Sequence, residues 1–302
     1  MLSILIPTYN YDCTDFVREL AMQAEGLHID YEIIVCDDAS PEVSTKERNR
    51  AINDRPRCRF VELAQNHGAA YCRNYLMSQA MYDNMLLLDS DLMPCRSDFL
   101  ACFVQEIDGR SVICGTIKFR LPENKKEVEA NLRYVYAAVR EEHAAELRNR
   151  SPYSRFAGFG FLLPRCVAEQ VRFCEDIVTY GHEDTLYGKM LNEAGIPVRY
   201  IDNPVYHDIS DDSAHFLSKT EESLANALRH REKLRGYVRI LDVQERVLRM
   251  GLQPMVRVLF ALFETPLRRN LLSNHPRLRL FDLYKLGYIC RLDHQMKRNK
   301  TF

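Results

Sequence analysis

Short apolar runs alternate with longer segments of helical periodicity along the first 95 residues. Such runs are typical of strands that are buried on both faces of a parallel sheet. The predicted strands are Leu2–Ile6, Tyr31–Cys36, Arg59–Leu63 and Asn84–Leu88. Helical spacing follows from Thr14 to about Glu25, with Thr14 as the predicted N-cap, and from Ala69 to about Met81. This alternation predicts a βαβ series with right-handed crossovers, and polar residues after each strand would gather at one edge of its parallel sheet.

Beyond residue 95 the pattern is less regular. Ser111–Phe119 and Val198–Ile201 are further predicted strands, and Glu123–Arg150 is a charged stretch with helical spacing and no glycine. That stretch would form an insertion or a flap, although a solvated surface helix explains its charges better. Phe156–Leu163 is an apolar strand whose two glycines would let a substrate approach the backbone closely.

From Ser213 onward the chain is predicted to be helical and basic. Residues 241–302 contain 12 Lys and Arg against 5 Asp and Glu, which leaves a net charge of -8 for residues 1–240 out of the total of -1. A basic amphipathic surface would dock on anionic lipid, but a helical appendage packed on the core or on a second subunit explains the pattern equally well. We predict one domain over residues 1–210, with halves at 1–95 and 96–210, and a helical extension over 211–302.

Composition narrows the class of protein. The chain has 302 residues, 46% of them hydrophobic, which is enough for a proper core. Its ten cysteines contain no C-x-x-C pair, so neither a zinc site nor a disulfide framework is indicated, and a reducing cytoplasm fits. The longest apolar stretch of the tail, Val258–Phe263, is far below the ~20 residues of a membrane span. We expect no export signal, a cytoplasmic location with peripheral contact to the inner face of the membrane left open, and no nucleic-acid partner.

Two carboxylates follow the most apolar of the predicted strands. Asp89 and Asp91 are separated by one residue directly after the leucine run at 86–88. Acidic side chains this close repel each other unless a cation or hydrogen bonds absorb the charge. Mg2+ and Mn2+ take oxygen ligands and also bind phosphates, so the pattern predicts a metal-bound nucleotide diphosphate at the sheet edge. The alternative is a solvated turn that caps the next helix.

Four motifs in order carry a resemblance to a known family. They are Ile4–Asn10 (ILIPTYN), Ile33–Ser40 (IIVCDDAS), Asn66–Gly68 followed by Arg73–Asn74, and Leu88–Asp91 (LDSD). Together they resemble the family 2 glycosyltransferases of GT-A fold, over about residues 1–210. The resemblance implies an α/β, Rossmann-like, mostly parallel sheet flanked by helices. It also implies a nucleotide-sugar-dependent transferase, typically inverting and dependent on Mn2+ or Mg2+.

Matched position by position, the resemblance implies roles for individual residues. Thr8, Asp38 and Arg73 match residues that hold the uridine and diphosphate, with Asp37 beside them. Asp89 matches the acid that contacts the ribose, and Asp91 matches the metal ligand. The other motif residues expected to bind the nucleotide sugar are Pro7, Tyr9, Asn66, Gly68 and Ser90. The alternatives are a capped turn at 37–38 and a solvated helix arginine at 73.

A second acidic motif lies at Tyr180–Tyr187 (YGHEDTLY). It resembles the Glu-Asp motif of the family, which implies Asp184 as the general base, with Glu183 orienting it or the acceptor. Acids are also favoured at any helix start by the helix dipole, and that is the alternative. The sequence departs from the commoner pattern at His182, where a second glycine often stands. The chain also has no tryptophan, so Tyr180 or another aromatic residue must form the acceptor platform.

His207 follows the last predicted strand, where many GT-A enzymes supply a further metal ligand. A neutral imidazole can join a carboxylate on Mn2+, although a lone histidine is more often structural. We therefore predict transfer of a sugar from a nucleotide-sugar, with UDP-sugars favoured, to a hydroxyl of a glycan or lipid-linked acceptor in surface polysaccharide synthesis. The alternatives are a non-catalytic nucleotide-sugar-binding scaffold of a synthesis complex and a nucleotidyltransferase.

Overall fold

The computed structural model describes residues 1–209 and 211–299. Its centre is an eight-stranded sheet with the strand order β3-β2-β1-β4-β7-β6-β8-β5. The strands are β1 (Leu2–Thr8), β2 (Tyr31–Asp37), β3 (Cys58–Glu62), β4 (Asn84–Leu88), β5 (Leu92–Pro94), β6 (Val112–Arg120), β7 (Gly160–Pro164) and β8 (Val198–Asp208).

Helices connect the strands and make up most of the described chain after residue 212. They are α1 (Thr14–Gly26), α2 (Val43–Arg50), α3 (Ala69–Gln79), α4 (Phe99–Gln105), α5 (Lys125–Glu129), α6 (Leu132–Tyr136), α7 (Ala145–Asn149), α8 (Arg165–Gln170), α9 (Glu183–Glu193), α10 (Ser213–Arg229), α11 (Arg231–Leu234), α12 (Arg239–Arg249), α13 (Gln253–Leu271) and α14 (Leu278–Asn299). A 3-10 turn covers Ala51–Asp54 and a π-helical turn covers Ala137–Glu141. The predicted α/β class, with a mostly parallel sheet flanked by helices and with C-terminal helices, is confirmed.

The first four strands pair in parallel in the order 3-2-1-4. Leu5 of β1 lies opposite Ile34 on one side and Leu87 on the other, and all three side chains are fully buried. Helices cover both faces of such a sheet, which explains why these strands read as continuous apolar runs. Because the strands run in the same direction, their carboxyl ends and the polar residues after them meet at one edge.

β8 is longer than the sequence indicates. The predicted strand Val198–Ile201 continues to Asp208 and pairs in antiparallel fashion with the short β5. His207 therefore lies within a strand, directly opposite Leu92. This pairing positions His207 beside the residues that follow β4.

The start of α1 corrects a predicted cap. Cys13, not Thr14, is the N-cap residue, and its side chain makes no capping hydrogen bond. The Asp12 carboxylate instead accepts hydrogen bonds from the Thr14 amide (3.1 Å) and hydroxyl (2.8 Å). The Asp12 carboxylate thus satisfies the free Thr14 amide at the helix start and also engages the threonine hydroxyl.

The charged stretch 123–150 does not form one surface helix. It is divided into α5, α6, the π-helical turn and α7. Asn124 and Asn131 each accept a hydrogen bond from the backbone amide two residues later, and each starts a new short helix. Asparagine side chains compete with the helical backbone in this way, so the periodic pattern is interrupted at position 131.

The chain forms two compact units. Unit 1 comprises residues 1–118, 143–178 and 183–208, and unit 2 comprises 119–142, 179–182 and the described residues from 209 onward. The core of unit 2 contains Leu132, Phe216, Leu217, Phe260, Leu271, Phe281 and Tyr284. The predicted domain boundary at 210 stays a prediction, and segments 119–142 and 179–182 group with the C-terminal helices. None of the helices in residues 1–209 and 211–299 has the length and apolar character needed to cross a bilayer.

Candidate active site

Arg73 is the centre of a charged network in unit 1. It lies on α3 with 5% of its surface exposed, and its Nη2 donates to Asp89 Oδ1 at 2.8 Å. Its Nη1 donates to Glu183 Oε1 at 3.4 Å. Burial alone would lower the pKa of Arg73, but the Asp89 and Glu183 carboxylates outweigh it and raise that pKa above its ordinary value. The guanidinium stays charged and ties the end of β4 to the start of α9.

Asp184 follows directly at the start of α9. Its Oδ1 accepts from the Thr185 amide at 2.6 Å, and its Oδ2 accepts from the Gly158 amide at 3.4 Å. Burial raises the pKa of Asp184 to about 6, and Glu183 adds to the rise while Arg73 opposes it. A carboxylate with a pKa near the working pH is suited to accept a proton in a reaction.

Asp89 shares this environment. Its amide donates to the Phe159 carbonyl at 2.9 Å, which holds the end of β4 against the start of β7. Burial raises the pKa of Asp89, Arg73 opposes the rise, and the Asp91 charge adds to it. The structure therefore brings together four residues that were predicted from three separate motifs, namely Arg73, Asp89, Glu183 and Asp184.

Asp91 and His207 form a separate pair at the same strand end. Asp91 Oδ2 lies 3.0 Å from His207 Nε2, because Leu92 of β5 is opposite His207 of β8. A carboxylate oxygen and an imidazole nitrogen at this separation are a donor set that suits Mn2+ and accommodates Mg2+. Within residues 1–209 and 211–299, no group of three or more His, Cys, Asp or Glu side chains is arranged to hold a metal ion. A cation at this pair would thus have two protein ligands.

The nucleotide end of the predicted site is organised around Asp38. Its two carboxylate oxygens accept from the backbone amides of His67 and Gly68, each at 2.8 Å. Its own amide donates to the Thr8 carbonyl at 3.0 Å, and the Asn66 side-chain amide donates to the Asp38 carbonyl at 3.1 Å. The structure thus joins Thr8, Asp38, Asn66 and Gly68 where the motifs after β1, β2 and β3 meet.

Asp37 faces the turn that follows β2. Its carboxylate accepts from the amide and hydroxyl of Ser40, at 3.0 and 2.5 Å. Ser40 Oγ in turn accepts from the Asn10 amide at 2.7 Å. Ser40 thus links the loops after β1 and β2. Although the predicted motif includes it, sequence reasoning gave it no role; the Asp-x-x-Ser spacing was the available signal.

Three other predicted residues are chain neighbours of Thr8, Asp89 and Asp91. Tyr9 is 51% exposed, Pro7 is partly buried in β1, and Ser90 is buried. In the described part of the chain, no side-chain hydrogen bond joins any of them to the residues above. Their predicted contact with the nucleotide sugar stays a prediction.

Gly158 has a role that the sequence did not indicate. A Cβ atom at this position would lie 3.1 Å from Arg73 Nη2 and 3.2 Å from Arg73 Cζ. The missing side chain therefore makes room for the guanidinium, where we had expected room for a substrate. Phe173 covers the guanidinium from another side, with its ring centroid 5.3 Å from Arg73 Cζ.

Asn74, the neighbour of Arg73 on α3, holds the Phe173 segment in place. Its side-chain amide donates to the Phe173 carbonyl at 2.9 Å and to the Glu175 carboxylate at 2.7 Å. Its carbonyl oxygen accepts from the Phe173 amide at 2.9 Å. Arg73 therefore holds the charged network and the adjacent Asn74 holds the Phe173 segment. The Arg-Asn motif of the sequence was the signal for both residues.

Comparisons with known proteins agree with this architecture. The model of the family described as glycosyl transferase family 2 matches residues 3–168. A relative from Bacillus subtilis (strain 168), the uncharacterized glycosyltransferase YfnE, is 25% identical over 147 residues, which cover 48% of this chain. The match spans about a third (34%) of the length of that relative.

Solved structures of glycosyltransferases share the fold. A mannosyltransferase from Pyrobaculum calidifontis, PcManGT in complex with GDP-Man and Mn2+, superposes with a TM-score of 0.55 at 15% identity, covering 97% of this chain and 86% of that one. S. aureus TarS gives 0.50 at 16% identity, with coverage of 97% and 55%. Glucosyl-3-phosphoglycerate synthase from Mycobacterium tuberculosis, in complex with Mn2+, UDP and glucosyl-3-phosphoglycerate, gives 0.50 at 17% identity, with coverage of 76% and 79%.

Proposed function

This chain belongs to glycosyl transferase family 2, and from that premise we propose that it is an inverting transferase that moves a sugar from a nucleoside-diphosphate sugar to an acceptor hydroxyl. The observation that carries the proposal is the network in which Arg73 binds both Asp89 and Glu183, directly beside Asp184. It joins the strand end that would hold the donor to the helix start that would serve the acceptor.

Donor binding is assigned to the loops after β1, β2 and β3. Asp38, already fixed by two backbone amides, would present its remaining lone pairs to the N–H groups of the base. Asp89 would accept hydrogen bonds from ribose hydroxyls. Arg73 is buried against two carboxylates, so its proposed role is to hold Asp89 in position and to add positive charge near the diphosphate.

The transfer step is assigned to Asp184. Its carboxylate accepts the proton of the acceptor hydroxyl as that oxygen bonds to the anomeric carbon, on the face opposite the nucleotide. The bond between the anomeric carbon and the phosphate oxygen breaks, and the electron pair leaves with the diphosphate. One displacement inverts the anomeric configuration. The raised pKa of Asp184 supports this role, since the base is largely ionised at neutral pH yet basic enough to take a proton.

Asp91 and His207 would hold a divalent cation, because they offer one oxygen and one nitrogen donor 3.0 Å apart. When bound, Mn2+ or Mg2+ supplies positive charge to the diphosphate leaving group. Two protein ligands leave coordination positions for the donor itself, which explains how metal binding and donor binding would depend on each other.

The acceptor is proposed to be a glycan or a lipid-linked sugar at an anionic membrane surface, in the synthesis of surface polysaccharide. The support comes from α13, whose outward side carries Met255, Val258, Leu259, Leu262 and Phe263, all more than a third exposed. Four arginines of the same region form no ion pair among the described residues, namely Arg257, Arg269, Arg277 and Arg279. An apolar stripe with unpaired arginines is complementary to anionic lipid rather than to water.

A panel of nucleotide sugars tests the proposed activity. We expect one of them to raise the melting temperature only with Mn2+ or Mg2+ present, and to be hydrolysed slowly in the absence of acceptor. UDP-sugars are the first choice, and GDP-mannose belongs in the panel because PcManGT binds it. Stabilisation without hydrolysis or transfer would favour the nucleotide-sugar-binding scaffold, and absence of both stabilisation and hydrolysis across the whole panel would contradict the proposal.

A further inference from the structure

An apolar groove of about 490 Å³ lies between α13 and α14, which both belong to unit 2. This volume is within the range of pockets that bind small ligands. Every residue that lines the groove is apolar. The groove therefore offers a ligand hydrophobic contact along its whole length.

Gly287 of α14 and Phe260 of α13 form the bottom of the groove. A Cβ atom at Gly287 would lie 2.2 Å from Phe260 Cδ2 and 2.4 Å from Phe260 Cγ, so the absence of a side chain lets the ring lie against the backbone of α14. The ring also packs edge-on against Tyr284, with the centroids 5.4 Å apart, and Phe260 is 4% exposed. The bottom of the groove is therefore firmly packed.

The walls of the groove, in contrast, face solvent. Leu259 and Phe263 of α13 are 46% and 55% exposed, and Leu283 of α14 is 57% exposed. Transfer of such apolar surface out of water is favourable, by roughly 25 cal/mol per Å². An aliphatic chain in the groove would cover these side chains and keep its own surface from water.

Three arginines lie at one end of the groove, where the chain turns from α13 into α14. Arg269 follows a lining proline of α13 by three residues, and Arg279 precedes Leu283 of α14 by four. Residues three or four apart are neighbours on a helix surface, so both arginines flank the groove. Arg277 lies in the turn, where its amide donates to the Asn270 side chain at 3.1 Å and ties the two helix ends together.

These arginines form no ion pair in residues 1–209 and 211–299. Residues 265–281 contain no Asp or Glu, and the acidic side chains elsewhere in α13 and α14 are already bound to cations. These pairs are Glu264 with Arg291, Asp282 with Lys285 (3.0 Å) and Arg140 (2.8 Å), and Asp293 with Arg231 (2.8 Å) and Lys297 (2.9 Å). The arginine end of the groove therefore keeps a positive charge that suits an anion.

We propose that this groove binds one acyl chain of an anionic membrane phospholipid, with the lipid phosphate at Arg269, Arg277 and Arg279. Guanidinium groups donate charge-assisted hydrogen bonds to phosphate oxygens. Val258 and Leu262 of α13 lie outside the groove and are 61% and 68% exposed, so the apolar surface continues beyond the groove, as contact with a bilayer requires. The inference deepens the proposed contact with anionic lipid, from a surface that lies on a bilayer to a site that takes up one lipid molecule.

Calorimetry on the full chain without donor tests this site in the absence of a bilayer. Dioctanoyl phosphatidylglycerol below its critical micelle concentration is expected to bind. Dioctanoyl phosphatidylcholine has the same chains but no net charge, and it is expected to bind about 10-fold more weakly or less.

Two pairs of variants locate the lipid chain and the phosphate. Leu283→Asn should weaken binding about 10-fold, because it removes apolar contact from a wall, whereas Leu262→Asn alters a leucine outside the groove and should leave binding unchanged. Arg279→Gln should weaken binding to a similar extent. Arg257→Gln is its control, because Arg257 also forms no ion pair among the described residues but precedes Arg269 by about 18 Å along α13.

Several results would overturn the inference. They are no binding of the soluble phosphatidylglycerol, equal binding of the two lipids, and equal losses in the Leu283 and Leu262 variants. A dimer in sedimentation that Leu283→Asn dissociates and lipid does not would assign the groove to a second copy of the chain. Tighter binding of geranyl phosphate than of the phospholipid would assign it to a prenyl phosphate.

The groove and the proposed function can fail separately. If anionic vesicles capture the protein but the soluble lipid does not bind, the groove is wrong and the proposed membrane contact stands. If the soluble lipid binds in the groove but no nucleotide sugar is bound, hydrolysed or transferred, the proposed transfer is wrong and the groove stands.

Discussion

Asp184 and Asp91 carry the same carboxylate group in different surroundings, and we propose different roles for them. Asp184 is partly buried beside Glu183; desolvation and, after it, the Glu183 charge raise its pKa to about 6. Asp91 lies 3.0 Å from His207, and its side chain is 36% exposed. Burial and a like charge therefore support our proposal of Asp184 as the proton acceptor, and the imidazole beside Asp91 at the strand end supports our proposal of a cation site there.

The base assignment predicts that Asp184→Asn loses transfer and keeps donor binding. Asparagine preserves the shape of the side chain but cannot accept the proton, and general-base assistance is typically worth ~10^2 to 10^4 in rate. Single-turnover experiments on this variant should therefore show the loss of transfer, while donor titration shows an unchanged donor affinity. Glu183→Gln is the control. If it loses transfer while Asp184→Asn stays active, Glu183 is the base, and if both stay active, the pair is only a helix start.

The raised pKa of Asp184 also predicts a change in stability with pH. Well below the ordinary pKa of 3.8, at about pH 2.5, the carboxyl is protonated in both the folded and the unfolded state, so it contributes no penalty. As the pH rises through about 4 the unfolded chain ionises first, and the folded state loses stability up to about pH 6, by about 3 kcal/mol in all for this rise in pKa. Urea unfolding of wild type and Asp184→Asn should therefore favour the variant more at pH 7.5 than at pH 4. A difference independent of pH would contradict the raised pKa.

The metal assignment predicts that Asp91→Ala abolishes Mn2+-dependent binding of the nucleoside diphosphate and leaves the fold intact. The side chain is partly exposed and would provide the oxygen of a two-ligand site, so its loss removes half of the protein donors. Calorimetric titration with and without Mn2+ measures the effect, and circular dichroism checks the fold. An unchanged affinity of the variant for the nucleoside diphosphate in the presence of Mn2+ would contradict the assignment of Asp91 as a metal ligand.

At the scale of single residues, the sequence predicts which residues belong to the site motifs better than it predicts their hydrogen-bond partners. Asp38, Arg73 and Asp89 were predicted as site residues because they match motifs of the family that occur in order along the chain. The sequence did not show that the Asp38 carboxylate is already bound to two backbone amides, or that Arg73 faces two carboxylates. These contacts join residues 16 to 110 positions apart, and only the fold determines such distances.

At the scale of elements, the approach of β7 to α3 determines how Arg73 is held. The loop residue Gly158 lies against the guanidinium, and Gly160 at the start of β7 lies against a methyl group of Leu88, 3.3 Å from where a Cβ would be. The two glycines therefore have different roles, although both lie in the same apolar segment.

This contrast predicts that Gly158→Ala reduces donor affinity about 10-fold. Its new Cβ would displace a guanidinium that cannot move without breaking its contacts with Asp89 or Glu183. Gly160→Ala is the matched control, since it presses on a methyl group and should cost stability more than affinity. Donor titration and thermal unfolding of both variants measure the two effects. Equal donor affinities would show that the room beside Arg73 is not needed.

Elements with strong periodicity could be predicted, and elements defined by pairing or capping could not. The first four strands follow their apolar runs closely. β8 runs seven residues beyond its predicted end at Ile201, to Asp208, because pairing with β5 supports a segment whose own pattern is polar. The stretch 123–150 has helical spacing throughout, yet asparagine caps divide it.

At the scale of the whole molecule, the two units carry separate parts of the proposed reaction. Unit 1 contains every residue assigned to donor, base and metal, while unit 2 contains the basic C-terminal helices. The sequence could not show that segment 179–182 belongs with the helices, since four residues have no periodicity to reveal it.

The exposed face of α13 leads to a prediction for the full chain. Flotation with anionic vesicles should capture the protein at low salt and lose it as salt rises beyond physiological strength, because screening shortens the reach of exposed arginines. Leu262→Asn should weaken capture without unfolding, since that side chain is 68% exposed. Val43→Asn is the control, because Val43 is 58% exposed on α2 in unit 1. Equal capture by neutral vesicles, or no capture together with a dimer in solution, would assign the face to apolar packing instead of anionic lipid.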